Sequence, residues 1–528
     1  MTGPMDWRFP YPSTRRPLLA ANCVATSQPL AAQAGLSMIA KGGGAVDAAV
    51  AAAIALTVVE PTMNGIGSDA FAIVAAGGEL HGLNASGRAP AGWTADRFAG
   101  RDAMPATGWD SVSVPGAVSA WAALHRRFGR LPFEALFEPA IRYARDGFLV
   151  SPVVSMQWRN QADALGRYRG FAEAFLPGGR APAPGEMFRC PEQATTLERI
   201  AATQGEAFYR GALAEAIVSA SKRDGGVLSL EDLGEHAPEW VAPLAVDFQG
   251  YRVHELPPNG QGLAALIALG ILDRLDLGGL DADGADIQHL EIEATKLGMA
   301  DVKAHVGDPR TMLVRAEALL SRDYLDDRAR LIRRERASAP HPGRPAQHGT
   351  VYLAAADASG VMVSYIQSNY RGFGSGIVVP GTGVALNNRG SCFVLERGHP
   401  NEVGPRKRPL NTIIPGFATR DGVPVAAFGV MGGAMQPQGH VQVATRLFAK
   451  GQNPQAAADA PRWRVEGDKV MIEAAWDHRL RDALAARGHD LADGGFLDFG
   501  AAQIIWRLGE AGYAAASEGR RDGQAVGF

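Results

Sequence analysis

The sequence predicts an α+β fold, and three observations carry that prediction. The first 300 residues hold a series of helical patterns. The period then changes to two at Thr350, where alternating runs begin. Further helical patterns return after Gly439, beyond those strands. Helices before and after runs of antiparallel strands indicate segregated layers, not alternating βαβ units.

The elements follow in order. Leu30–Lys41 reads as a helix stopped by Gly42-Gly43-Gly44. Asp47 opens an Ala-rich helix that runs to Val59 and ends at Glu60-Pro61. Asn64–Asp69 (NGIGSD) is a Gly-punctuated turn leading into a hairpin that reverses at Gly77-Gly78. Helices are expected at Gly116–Phe128, Phe133–Asp146, Gln193–Thr203, Ala212–Lys222, Gly262–Leu275 and Ile287–Lys303. From Ser321 to Gly349 the chain is dense in Arg, then in Pro, Gly and His. That composition predicts a helix end followed by a disordered, solvated tail. Thr350–Ala356 and Val361–Ser368 alternate around the turn Asp357–Gly360, which makes a hairpin. Strand signals continue at 376–380 and 384–387, and Thr412–Phe417 with Val423–Val430 reads as another pair. Helices are expected at Gly439–Lys450, Pro454–Ala460 and Leu480–Arg487, with late strands at Ala502–Arg507 and Gly512–Ser517.

Composition excludes several function classes. With 52 Lys and Arg against 55 Asp and Glu, the chain lacks the basic excess of nucleic-acid or membrane-surface proteins. Its longest apolar stretch, Ala48–Val59, is too short to cross a bilayer. Cys23, Cys190 and Cys392 are odd in number and widely spaced, so no disulfide framework or CxxC metal pair is expected. The N-terminal segment has no apolar core of the signal-peptide kind. These features predict a cytoplasmic protein. No HExxH motif and no histidine pair at ligand spacing occurs, so neither a metal nor a cofactor is expected. Gly372–Gly376 (GFGSG) lacks the lysine of a phosphate loop, and the strand–elbow–helix setting of a serine hydrolase is missing.

One chemistry needs only a single residue and a cut. An N-terminal threonine carries its own base, an α-amino group with a pKa of roughly 7.7–8.0. His348-Gly349-Thr350 places such a threonine after a flexible segment and at the start of a strand. Residue chemistry alone would leave Thr350 an ordinary strand start.

The ordered motifs go further. GTVYLAAADASGVMVSYIQSN, FGSGIVVPGTGVALNNRGSCF, RPLNTIIPGF and GVMGGAMQPQGH resemble the small subunit of the gamma-glutamyltranspeptidase family of N-terminal-nucleophile hydrolases. NGIGSDAFAIV, LNASGRAP, VSVPGAVSAW and EPAIRYARDGF resemble its large subunit in the same order, so the likeness runs from about Pro10 to Phe528. The resemblance implies a four-layer αββα sandwich. It implies cleavage between Gly349 and Thr350 into intertwined pieces of 349 and 179 residues, which together make the 528. It leaves a homodimer of the processed heterodimer open. It assigns Thr350 as nucleophile, Ser368 as a second hydroxyl bonded to it, Gly432 and Gly433 as oxyanion donors, and Arg88 as the clamp on a substrate carboxylate.

The pocket departs from the family pattern. Cys392 stands where γ-glutamyl enzymes carry an acidic partner for the substrate ammonium, and a thiol cannot take that part. Arg389 stands where they have a neutral or acidic group, Asn411 and Thr412 replace paired serines, and Tyr370 replaces an asparagine. These changes predict a pocket that has lost its ammonium contact and gained positive charge. The expected substrate is a small carboxylate-bearing amide, as in the oxamate amidohydrolase branch, hydrolysed through an acyl-enzyme. A true γ-glutamyl hydrolase or transferase is the rival enzyme. An unprocessed binding homologue and a Gly-rich nucleotide-binding protein are rivals of other classes. Segment His399–Lys407 is a candidate lid.

Overall fold

The computed structural model describes Trp7, Tyr11 and residues 13–338 and 349–528. Two seven-stranded sheets dominate it. In the first, the strand order runs Leu18–Ala20, Tyr513–Ser517, Ala501–Arg507, Val423–Met431, Gly416–Arg420, Tyr251–Glu255, Leu244–Phe248. In the second it runs Gln524–Gly527, Cys23–Thr26, Gly349–Ala356, Met362–Tyr370, Asp69–Ala76, Glu79–Asn84, Glu239–Val241. All pairings within both sheets are antiparallel.

Side-chain alternation explains the layering. Along the strand Gly349–Ala356, Val351, Leu353 and Ala355 pack with the Ala-rich helix Ala45–Val59 on one face. Tyr352, Ala354 and Ala356 pack on the other face against Phe417, Ala427 and Ile505 of the first sheet. Successive strand residues point to opposite faces, so each sheet buries one face on its partner and one on helices. The outer face of the first sheet is covered by helices Gly262–Asp273, Ala285–His305 and Met435–Ala444. The result is the four-layer αββα sandwich.

The helix at Ala45–Val59 is buried at every position, which requires its run of alanines. Helix Ala285–His305 is longer at both ends than its apolar pattern implied. The Arg-dense segment after Leu320 is partly structured, with a helix at Arg322–Ala329. Residues up to Ser338 dock on neighbouring elements: Ala337 donates to the Arg487 carbonyl at 2.7 Å and Ser338 N–H to Glu293 at 2.8 Å. The expected disordered tail at 339–348 lies outside the described residues. In the candidate lid, His399 faces the Lys303 carbonyl at 2.9 Å, and Arg406 pairs with Glu231 and Glu235. Among the described residues, no helix is long and apolar enough to cross a membrane.

Candidate active site

Thr350 lies at the start of its strand, where the ladder to Met362–Tyr370 is irregular between Gly349 and Val351. It shares parity with Tyr352, so its side chain belongs to the gap between the two sheets. It is fully buried. Thr350 Oγ1 and Ser368 Oγ share a hydrogen bond of 3.2 Å, and Gln436 Nε2 donates to the same threonine oxygen at 3.3 Å. Ser368 Oγ also accepts the Tyr370 N–H at 2.8 Å, which fixes the hydroxyl from a second side. Gln436 is itself held, because its Oε1 accepts the Ile414 N–H at 3.0 Å.

Gln436 belongs to the facing sheet's side of the gap. The strand Val423–Met431 ends there in Gly432 and Gly433, and helix Met435–Ala444 begins. Both glycines have positive φ, +120° and +60°, which other residues rarely adopt. Their carbonyls accept from Met435 N–H and Gln436 N–H in the opening turn. Gln261 Nε2 bridges the Gly433 carbonyl at 2.8 Å and the Thr412 carbonyl at 2.6 Å. A glycine pair with its carbonyls tied back, ahead of a helix N-terminus, is suited to donate N–H groups to a negative oxygen. His440 supports this strand end. Its Nδ1 lies 2.6 Å from Glu255 Oε1, while its Nε2 accepts the Val430 N–H at 3.2 Å.

The expected pocket residues form one network around buried Arg389, with Cys392 at its partly exposed edge. Arg389 Nη1 donates to Thr412 Oγ1 at 2.8 Å and approaches Cys392 Sγ at 3.9 Å. The guanidinium carbon sits 4.5 Å from the centre of the Tyr370 ring. Tyr370 itself is held at φ +80°, a conformation the asparagine it replaces tolerates better. The network includes a residue that sequence reasoning passed over. Asp69 Oδ2 lies 3.4 Å from Arg389 Nε and accepts from Asn411 Nδ2 at 3.0 Å. Asp69 Oδ1 accepts the Gly87 N–H at 3.0 Å. Arg389 and Asp69 are both fully buried. The expectation of a simple gain of positive charge is therefore corrected: the arginine arrives with a buried carboxylate. Burial raises the Asp69 pKa to about 6, against the opposing pull of Arg389. Burial also raises the Cys392 thiol above its ordinary value, so it stays neutral.

Arg88 stands apart from this network. Its side chain is 31% exposed, and its guanidinium pairs with Glu239 at 3.0 Å and Asp308 at 3.3 Å. Arg310 and Arg408 share the same two carboxylates. The side-chain bonds described for Arg88 thus run to this surface cluster, whereas Arg389, Asn411, Thr412, Tyr370 and Cys392 come together. Asp69, Gln436 and Gln261 were missed. For Asp69 the available signal was an acid between a glycine turn and the apolar run Ala70–Ala76.

Among the described residues, one His/Glu group has metal-ligand spacing: His289, Glu293 and His489, from segments 200 residues apart. Spacing along the sequence could not reveal it. Its groups are engaged with one another and their surroundings. His289 Nδ1 meets His489 Nε2 at 2.8 Å, His289 Nε2 faces the Arg333 carbonyl, and Lys296 Nζ donates to Glu293 at 2.8 Å.

Comparison with known proteins agrees with this geometry. The family model described as gamma-glutamyltranspeptidase matches residues 31–528. The chain is 36% identical to the glutathione hydrolase-like YwrD proenzyme of Bacillus subtilis, covering 94% of this chain and 97% of that protein. It is also 36% identical to the oxamate amidohydrolase proenzyme of Klebsiella pneumoniae, with the same coverage. Among solved structures, the cephalosporin acylase from Bacillus halodurans superposes with a TM-score of 0.95 at 48% identity, over 100% of this chain and 99% of that one. The chain belongs to the gamma-glutamyltranspeptidase family and is a hydrolase of the N-terminal-nucleophile type.

Proposed function

We propose that the chain cleaves its own Gly349–Thr350 bond and then hydrolyses amides of small carboxylate-bearing acyl groups through Thr350. The observation that carries this reading is the seating of Thr350 Oγ1. It has Ser368 Oγ at 3.2 Å and Gln436 Nε2 at 3.3 Å, with the Gly432–Gly433 turn adjoining the same helix. The freed α-amino group takes the hydroxyl proton as Oγ1 attacks the amide carbonyl. The N–H groups of Gly432 and Gly433 receive the developing oxyanion, each worth about 10²–10³ in rate. The C–N bond breaks, the amine leaves with the proton, and water hydrolyses the acyl-threonine ester by the reverse route. Transfer to an amine acceptor is the secondary outcome.

Arg389 is the natural partner for the acyl carboxylate, since its Nη2 is buried without a hydrogen-bond acceptor among the described residues. Neutral Cys392 offers nothing to an ammonium group. Arg88 contributes as the resemblance implies only by sharing its guanidinium with Asp308 and Glu239. The relatives named for oxamate amidohydrolase and cephalosporin acylase support an acid-amide substrate without fixing which one. A γ-glutamyl donor is the second reading, favoured by the buried Asp69 carboxylate in the same network.

Comparing kcat/KM for an oxamate-type amide with that for a γ-glutamyl anilide decides between them. The first reading expects the acid amide to be preferred at least tenfold. A preference for the γ-glutamyl substrate overturns it.

A further inference from the structure

Gln436 reaches Thr350 from the facing sheet, whereas Ser368 reaches it from the neighbouring strand. The glutamine is fully buried, and its amide has one possible orientation. Oε1 accepts the Ile414 N–H at 3.0 Å, and the reversed amide would set two donors face to face. Nε2 is therefore the atom turned to Thr350 Oγ1, 3.3 Å away, and it can only donate. That distance is long for an N–H···O bond, as resting catalytic contacts often are before they tighten. The Gln436 N–H is tied to the Gly433 carbonyl at 3.0 Å in the opening turn of helix Met435–Ala444. One turn of chain thus carries both the Gly432 and Gly433 N–H groups and an amide aimed at Oγ1.

We propose that Gln436 is a catalytic residue for ester hydrolysis, donating to Thr350 Oγ1 as that oxygen becomes the leaving group. This rests on Thr350 as the nucleophile. In the acyl-enzyme the acyl carbon is bonded to Oγ1. Water adds to that carbon and gives a proton to the α-amino group, while the Gly432 and Gly433 N–H groups hold the carbonyl oxygen. The C–Oγ1 bond then breaks, its electron pair goes to Oγ1, and the α-ammonium returns the proton there. The Gln436 bond already exists at the resting hydroxyl, so attack on the amide gains little from it. An ester oxygen is a poorer acceptor than a hydroxyl or an alkoxide. The bond therefore strengthens most between the ester and its breakdown, and only such a difference accelerates a step. The same C–Oγ1 bond breaks in self-cleavage, once the acyl group of Gly349 has shifted to Oγ1.

The test compares Gln436→Met, which removes the donor, with Gln436→Glu, which removes it but keeps an acceptor for the Ile414 N–H. The substrate is the mono-p-nitroanilide of succinic acid, an activated carboxylate-bearing amide. Both variants should lose about 10- to 100-fold in kcat, with KM falling in step and kcat/KM within about threefold of wild type. Release of p-nitroaniline should show a burst, and mass spectrometry should find the small piece succinylated. A merely structural role would lower kcat/KM instead. An unchanged kcat, or a fall in kcat/KM as large as that in kcat with no acylated piece, overturns the proposal. A variant that stays uncleaved should be cut at Gly349–Thr350 by neutral hydroxylamine, because the ester still forms. An uncleaved variant that hydroxylamine leaves intact also overturns the proposal. Failure of the two readings is distinguishable. A cleaved, active wild type with variants that match it keeps Thr350 and loses Gln436. An uncleaved, inactive wild type loses Thr350, and Gln436 with it.

Discussion

Arg88 was expected as the clamp on a substrate carboxylate and Arg389 as an added positive charge in the pocket, and their surroundings differ in kind. Arg88 belongs to a cluster at the protein's edge, part exposed and part buried, in which three arginines share Glu239 and Asp308. Arg389 is fully buried, with one carboxylate, one hydroxyl, one thiol and one aromatic face around it. In the Arg88 cluster Asp308 and Arg408 are nearly buried, but Asp308 keeps Arg310 and Glu239 keeps Arg408 when Arg88 is removed, and Arg88 itself is partly exposed, so losing it is cheap. In the buried network each group has few alternatives, and removing one leaves another stranded. Specificity is therefore expected to be concentrated at Arg389.

That difference can be broken by paired substitutions. Arg389→Met should cost about 10² or more in kcat/KM on an acid amide, and about 3–5 kcal/mol of stability by urea unfolding, because Asp69 loses its partner. Arg88→Met should cost under tenfold in kcat/KM and leave stability nearly unchanged. A larger loss at Arg88 than at Arg389 reverses the comparison and restores Arg88 as the principal clamp. Ser368→Ala should lower kcat about fivefold, in line with about 1 kcal/mol for one hydrogen bond to the Thr350 hydroxyl. The smallest effect is a pH slope. The folded Asp69 pKa, raised to about 6, exceeds its ordinary value of 3.8. Between those values the folded chain keeps a proton the unfolded chain has lost, so Asp69 contributes stability at low pH that declines as pH rises to about 6. Asp69→Asn should flatten that part of the stability curve, measured by urea unfolding from pH 4 to 7.

The fold was legible wherever periodicity is local. Helices Pro29–Ala40 and Ala45–Val59 and the hairpin from Gly349 to Tyr370 lie within a few residues of their expected bounds. Strands whose partners are remote were not. Cys23–Thr26 is only four residues long and pairs with Leu353–Ala356 and Gln524–Gly527. Edge strands Glu239–Val241 and Leu244–Phe248 are similarly short, so alternation gives little signal. The site divides the same way. Thr350, Ser368, Gly432 and Gly433 sit in contiguous motifs that carry the family resemblance. Asp69 reads as the end of a turn until the fold brings it to Arg389, and Gln436 lies ahead of the expected helix at Gly439–Lys450, with nothing to mark it until it reaches Thr350.

The most direct test of Thr350 as a self-released nucleophile is a denaturing gel of the purified protein with N-terminal sequencing of the smaller band. The account predicts two bands in the wild type, the smaller beginning TVYLAA, and one full-length band in Thr350→Ala. A single full-length wild-type band, or a smaller chain beginning at another residue, would contradict it.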